Sequence, residues 1–258
     1  MNTFFGRIYS DYLMPSRLAA HESMLLRARD AGYTQTSVRQ FHRTLQDGNG
    51  AAKVLVHRHD IDTDLRTARK LFQIEKRCGI QASYYFRLCT LDYEFMREID
   101  EYGSEASYHY EELATFAKNN HIKDPAEIRR RLPQVRAQFE MNFQSIEQRF
   151  GRKMTTVASH GDFANRRLKM ANTEILSDRA LRARCGIVCE TYDTNLLENF
   201  GVYIADRAAP QRYHPIAPVD AIAQHRRICL LTHPRQCETN WSENTKSNLQ
   251  RFYEGLAW

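Results

Sequence analysis

Apolar residues along this chain fall at two spacings in turn. Stretches where they recur every three or four positions, as one face of a helix requires, are separated by short β-branched or aromatic runs of strand length. SRLAAHESMLLRARDAGY reads as a helix with Ser16 as its cap and Gly32 just past its end. DLRTARKLFQIEKRCGI reads the same way, with Ala68, Leu71, Phe72 and Cys78 on one face and Gly79 at the stop. In LDYEFMREIDEYG, Leu91, Phe95 and Ile99 recur at four-residue steps. DPAEIRRRLPQVRAQFEMNFQSIEQRFG opens on an Asp124 cap, with Pro125 at the first helical position and Glu127 three residues after the cap. Its stripe of Ile128, Leu132, Val135, Phe139, Phe143, Ile146 and Phe150 keeps helical spacing, and Pro133 is expected to kink it or detach its first turn. A last helix is expected near SENTKSNLQRFYEGL. KVLVH, IQASYYFRL, SEASYHY, TTVASH, CGIVCETY, GVYIA and RICLLTHP read as strands, and DGNGA as a turn.

Such alternation predicts an α/β fold of parallel strands joined by helices, in which chemistry gathers at the carboxyl ends of the strands. Polar residues stand at those ends. VLVHRHDIDTD carries His57, His59, Asp60, Asp62 and Asp64 behind three apolar residues; HYEE follows SEASY, SHGD follows TTVA, ADR follows GVYI and THP follows ICLL. An unpartnered buried carboxylate costs several kcal/mol, so the first cluster is exposed, hydrogen-bonded or holding a cation. A lone His at a strand end more often caps a loop than binds a metal. Five strand ends delivering His or Asp to one rim argue for a site. On a strand Asp60 and Asp62 project to the same side, whereas His57, His59 and Ile61 share the other. His57 is read as structural; His59 is left open between the two roles. Tyr84, Tyr85, Phe86, Tyr108 and Tyr110 alternate along strands, which favours core packing over sugar stacking.

Composition adds bounds. With 258 residues the chain can bury a sizeable core, and residues 1–258 are expected to form one domain. Nowhere do eighteen apolar residues run together, and the N-terminus lacks a basic stretch followed by an apolar run, so a cytoplasmic protein with no membrane span is expected. The six cysteines are scattered without C-x-x-C pairs and read as reduced, half-buried small hydrophobes. The net charge of +6 could signal an anionic partner. Its arginines lie in helical runs such as EIRRRLPQVRAQ, where a solvated face is the simpler reading, and no nucleic-acid recognition motif accompanies them; no nucleic-acid partner is expected.

Taken in order, a helix ending AGY, then HRHDID, CGIQASYYFRL, YGSEASYHYEEL, ASHG and LLTHP, the chain resembles a divergent polysaccharide deacetylase. The likeness covers residues of about 17 to 235 and is strongest in RHDID, close to the Arg-His-Asp-Val-Asp form of one branch of these chitooligosaccharide-deacetylase-like carbohydrate esterases. The resemblance implies a distorted or incomplete (β/α) barrel. It also implies a metal-dependent hydrolase that removes an acetyl group from an amino sugar or polysaccharide-precursor substrate. Asp60 and Asp62 would be a catalytic base and a metal ligand, with their order open because Ile61 separates a pair that is adjacent in the family. His109 would be a metal ligand, His233 the general acid, and Asp206 the residue orienting it.

This sequence departs from the family at two places. The second metal histidine would fall at Leu113, which cannot ligate, and the arginine of the third motif is replaced by Ser159-His160-Gly161. A catalytic metal needs about three protein ligands, and Asp62, His109 and His160 form one coherent set, with Glu111 or Asp60 in reserve. Mixed nitrogen and oxygen donors suit zinc, cobalt, nickel or manganese without singling one out, and zinc is the first expectation among them. Ser159 stands beside His160 but lacks the G-x-S-x-G elbow of a nucleophile. The rival expectation is a degenerate barrel of the same fold that binds carbohydrate or a partner protein without turnover.

Overall fold

The computed structural model describes residues 3–48 and 53–258. Nine strands form its sheet: β1 (Thr34–Thr36), β2 (Val54–Ile61), β3 (Ser83–Phe86), β4 (Glu105–Tyr110), β5 (Thr156–Ser159), β6 (Cys189–Glu190), β7 (Val202–Asp206), β8 (Tyr213–His214) and β9 (Arg227–Thr232). Their order is β6-β5-β4-β3-β2-β9-β7-β8, with β1 also paired to β2. Every ladder is parallel except β7 with β8. The chain winds outward in sequence from β2 to β6, and β9 returns to flank β2. The curled sheet is a half-barrel whose edges, β6 and β8, do not pair with each other.

All eight positions of β2 are buried, as expected for a parallel strand covered on both faces. Leu55 packs outward against Met24, Leu25 and Ala28 of the helix Leu18–Asp30 and Ile74 of the helix Leu65–Cys78. Val54 and Val56 face the other way, into a cluster with Tyr85, Ala158, Cys189 and Cys229 that Val38 and Phe41 of the helix Val38–Gln46 complete. That helix therefore closes the amino-terminal end of the half-barrel. On the outer side, Tyr84, Phe86, Tyr108 and Tyr110 join Phe95, Phe139 and Phe143 in the largest core cluster. These strand aromatics are core, and none is available to stack on a sugar.

Local details depart from the expectations in places. The helix Leu18–Asp30 begins on Arg17 without a side-chain cap; Ser16 lies one residue too early and only receives the Leu18 N–H at 3.5 Å. Asp64 and Asp124 do cap the helices Leu65–Cys78 and Pro125–Phe150, and Gly79 ends the former at φ 72°. Pro133 sits inside Pro125–Phe150 without dividing it. It is exposed, so water can satisfy the carbonyl that its missing N–H leaves free. Arg129, Arg130 and Arg131 are exposed, in keeping with a solvated face. CGIVCETY contributes only Cys189–Glu190 to the sheet. Of the expected turn DGNGA, residues 49–51 lie outside the described residues. Among the described residues no helix is long and apolar enough to cross a membrane, and all six cysteines are free, with Cys185, Cys189, Cys229 and Cys237 buried.

Candidate metal centre

Three side chains from three strand ends converge at the carboxyl-terminal mouth of the half-barrel. Asp62 stands just beyond β2, His109 lies within β4 and His160 stands just beyond β5. Asp62 Oδ1 is 3.3 Å from His109 Nε2 and 3.0 Å from His160 Nδ1, and the two ring nitrogens are 3.2 Å apart. The parallel register explains the meeting. His109 pairs with Ala158 across β4 and β5, so His160, two residues on, falls one step nearer the mouth.

The donors suit a cation. His109 Nδ1 donates to the Ala158 carbonyl at 2.9 Å, which leaves Nε2 as the ring nitrogen turned to Asp62. Asp62 Oδ1 is buried and has no hydrogen-bond partner among the described residues. Burial alone would raise the Asp62 pKa, but the imidazoles of His160 and His109 outweigh it and hold the carboxylate well below its usual range. One carboxylate oxygen and two imidazole nitrogens within 4.8 Å of one another can hold a metal ion, and three protein ligands are the number a catalytic metal commonly uses. Glu111, His160 and Asp162 lie equally close together. There, however, Glu111 is gripped by Arg87 at 3.0 and 2.7 Å and Asp162 by Lys118 at 3.1 Å, so those carboxylates are already neutralised.

The two aspartates of the RHDID run are held differently. Asp60 is 2% exposed and takes a two-pronged grip from Arg58, Nε to Oδ1 at 2.9 Å and Nη2 to Oδ2 at 2.7 Å. Arg58 is itself fully buried, bonded to Tyr203 and Tyr192 and stacked over the Tyr192 ring at 4.6 Å. Burial opposes the charged form of Asp60, but the Arg58 guanidinium and His109 outweigh it and lower the pKa. Asp60 Oδ2 also lies 3.4 Å from His109 Nε2, so the ion pair backs directly onto the trio.

On the opposite side of the mouth, His233 follows β9 and Asp206 ends β7. One Asp206 oxygen accepts from His233 Nδ1 and the other from the His233 backbone N–H, both at 2.6 Å. Burial favours the neutral ring, yet Asp206 outweighs it, and the His233 pKa is pushed up to about 10. With Nδ1 committed to Asp206, Nε2 points to the centre, 4.0 Å from Asp62 Oδ2.

Two clefts, of about 500 and 520 Å³, open over this constellation and share Asp62, Thr63 and Arg251 as their common wall. His160, Arg87 and Asp162 line the first; His233, Asp206, Arg207 and Arg7 line the second. Asp62, His160 and His233 are thus rooted in the fold and reached from solvent through the clefts.

Other candidates serve elsewhere. His57 Nε2 donates to Gln35 Oε1 at 2.9 Å on the outward face of β2. His59 lies in a closed network in which its Nε2 meets Glu75 Oε1 at 2.7 Å and its Nδ1 meets Thr232 Oγ1 at 2.6 Å, with His21 and Tyr84 on the same carboxylate. His59 is therefore structural. Asp64 caps a helix, Ser159 offers its N–H to Glu190, and Leu113 is fully buried in the core. Arg58 is the residue sequence reasoning passed over, although it shares a strand face with Asp60 two positions on. Glu190, buried and bonded by the N–H groups of Ser159 and Tyr192, was also missed; burial pushes its pKa up to about 7. Its signal was weak, a lone Glu in a two-residue strand. No family model matches the chain, and no curated protein matches it.

Proposed function

We propose that the protein is a metal-dependent amide hydrolase of the polysaccharide deacetylase type, removing an acetyl group from an amino sugar or glycan precursor. The observation that carries this reading is the placement, around one mouth, of a ligand trio and a separate protonated imidazole aimed at it: Asp62, His109 and His160 on one side, His233 with Asp206 on the other. Leu113 takes the position of a ligand in the family pattern, and His160 stands in for it. The absent third-motif arginine likewise has a substitute in Arg58, which reaches Asp60 from two residues back along β2.

Zinc suits the donor set best among divalent ions, and when bound it would act as a Lewis acid on the amide carbonyl and lower the pKa of water. The residues supply the rest. Asp60, kept ionised by Arg58, accepts the proton of the attacking water. His233 gives its Nε2 proton to the departing nitrogen as the C–N bond breaks, and Asp206 holds the ring protonated until that transfer and fixes its orientation. Acetate and a free amine are the products. The reading is tested by measuring amine released from N-acetylated amino sugars by protein loaded with zinc, cobalt, nickel or manganese. No release with any of the four, from protein that demonstrably binds the ion, would overturn it.

A further inference from the structure

The second cleft carries more positive charge than its own carboxylates can neutralise. Arg7, Arg207, Arg235 and Arg251 line it against Asp11, Asp62 and Asp206. All three acids are committed: Asp11 to Arg235 at 2.7 Å, Asp206 to His233, and Asp62, on the reading above, to the ion it would share with His109 and His160. Among the described residues the Arg207 side chain has one hydrogen bond, to the neutral amide of Gln211 at 3.3 Å. Arg251 has no hydrogen-bond or ion-pair partner among the described residues, although it stands on the ridge between the clefts beside Asp62.

An arginine this crowded is poorly placed unless something anionic joins it. Partial desolvation at the cleft wall and the guanidiniums of Arg235, Arg7 and Arg87 act together to lower the pKa of Arg251, itself solvent-exposed, with only Asp62 opposing them. Solvation of an exposed guanidinium can tolerate such a position, but a planar fork with free donors is the usual means of gripping a phosphate or carboxylate. The cleft's location adds direction. His233 lines it, and a general acid stands next to the leaving nitrogen, so this cleft receives the amine-bearing part of the substrate and not the acyl part.

Resting on the hydrolase reading above, we infer that the substrate bears an oxyanion, a phosphate or a carboxylate, on its amine-bearing portion, and that Arg251 and Arg207 bind it in the cleft beside His233. Neutral N-acetylated sugars are then poor substrates, and the arginine pair selects anionic ones.

The test compares N-acetylglucosamine with its 1-phosphate, its 6-phosphate and its 6-carboxylate in the wild type, Arg251→Ala and Arg207→Ala, using the full-length metal-loaded protein. The expected result is a kcat/KM for at least one anionic sugar that exceeds the neutral sugar by tenfold or more. That ratio should collapse at least tenfold in Arg251→Ala and recover in part in Arg251→Lys. Which of the phosphates or the carboxylate gives the larger ratio names the oxyanion. A ratio that is unchanged in both alanine variants overturns the inference. Calorimetric titration with inorganic phosphate, at equal metal loading, keeps the question separate from catalysis. If no sugar is hydrolysed at all, phosphate affinity that is at least tenfold weaker in Arg251→Ala still supports the anion site, and equal affinity in wild type and variant rejects it.

Discussion

Arg58 and Asp60 lie two residues apart on one strand and form a fully buried two-pronged ion pair, at 2.9 and 2.7 Å, directly behind the trio of Asp62, His109 and His160. The alternation of a strand makes this possible, since positions two apart project to the same side. It also separates the roles of the two aspartates. Asp60 is fixed by a guanidinium, whereas Asp62, one step nearer solvent, has an unpartnered oxygen turned to two imidazoles.

Breaking that pair is expected to be costly for folding as well as for activity. Arg58→Met strands a buried carboxylate and should lower stability by about 3–5 kcal/mol in urea unfolding. The double variant Arg58→Met with Asp60→Leu removes both charges and should recover most of the loss, while remaining inactive. Equal destabilisation in the single and double variants would show that packing, not the ion pair, is what Arg58 supplies.

The His233–Asp206 pair makes a prediction about leaving groups. His233→Ala should slow hydrolysis of an N-acetyl sugar by about a hundredfold or more relative to an activated aryl acetate, whose leaving group needs no proton. Bound metal should be unchanged. Equal loss on both substrates would assign His233 a structural role.

The same pair predicts a pH effect of definite sign. Asp206 raises the His233 pKa, to about 10, and a general acid is active only below its pKa. Asp206→Asn should therefore move the alkaline limb of the kcat/KM profile to lower pH. A limb that stays in place would separate His233 from the observed titration.

A second pH effect concerns stability. Burial pushes the His57 pKa down to about 3 from an ordinary 6.5, so below pH 6.5 the unfolded chain takes up a proton that the folded protein refuses. Its contribution to stability is present above pH 6.5 and lost as pH falls towards 3, with a loss of about 2 kcal/mol by pH 5. In His57→Gln, which can still bond Gln35, the difference between unfolding free energies at pH 7 and pH 5 should shrink by about that amount. An identical pH slope in the two proteins would count against this.

What the sequence made legible follows from where each signal resides. Apolar runs ending in His or Asp mark strand ends directly and pointed to a site at their common rim, whereas the grouping of Asp62, His109 and His160 came from the family resemblance and its departure at Leu113. Their meeting depends on strand order and register, which no local pattern carries. His59 was undecidable for the same reason: its partner Glu75 sits on a neighbouring helix, and only packing brings the two within 2.7 Å. Arg58 was hidden by expectation, because the missing third-motif arginine drew attention to residues 159–161 instead of to the strand already in view. The helix Val38–Gln46, which closes the amino-terminal end, has few apolar residues to reveal it. Arg251 reaches the mouth from the helix Trp241–Ala257, whose sequence looks like a solvated surface helix. Ser16 failed as a cap by a single residue, a distance that propensity alone does not resolve.

The account rests on the trio holding a metal ion, and elemental analysis of protein purified without chelator tests that most directly. The wild type, incubated with zinc and desalted, should retain roughly one ion per chain, as should Asp60→Asn, whereas Asp62→Ala and His109→Ala should retain almost none. Wild-type protein that keeps no zinc, cobalt, nickel or manganese, or variants that keep as much as the wild type, would contradict it.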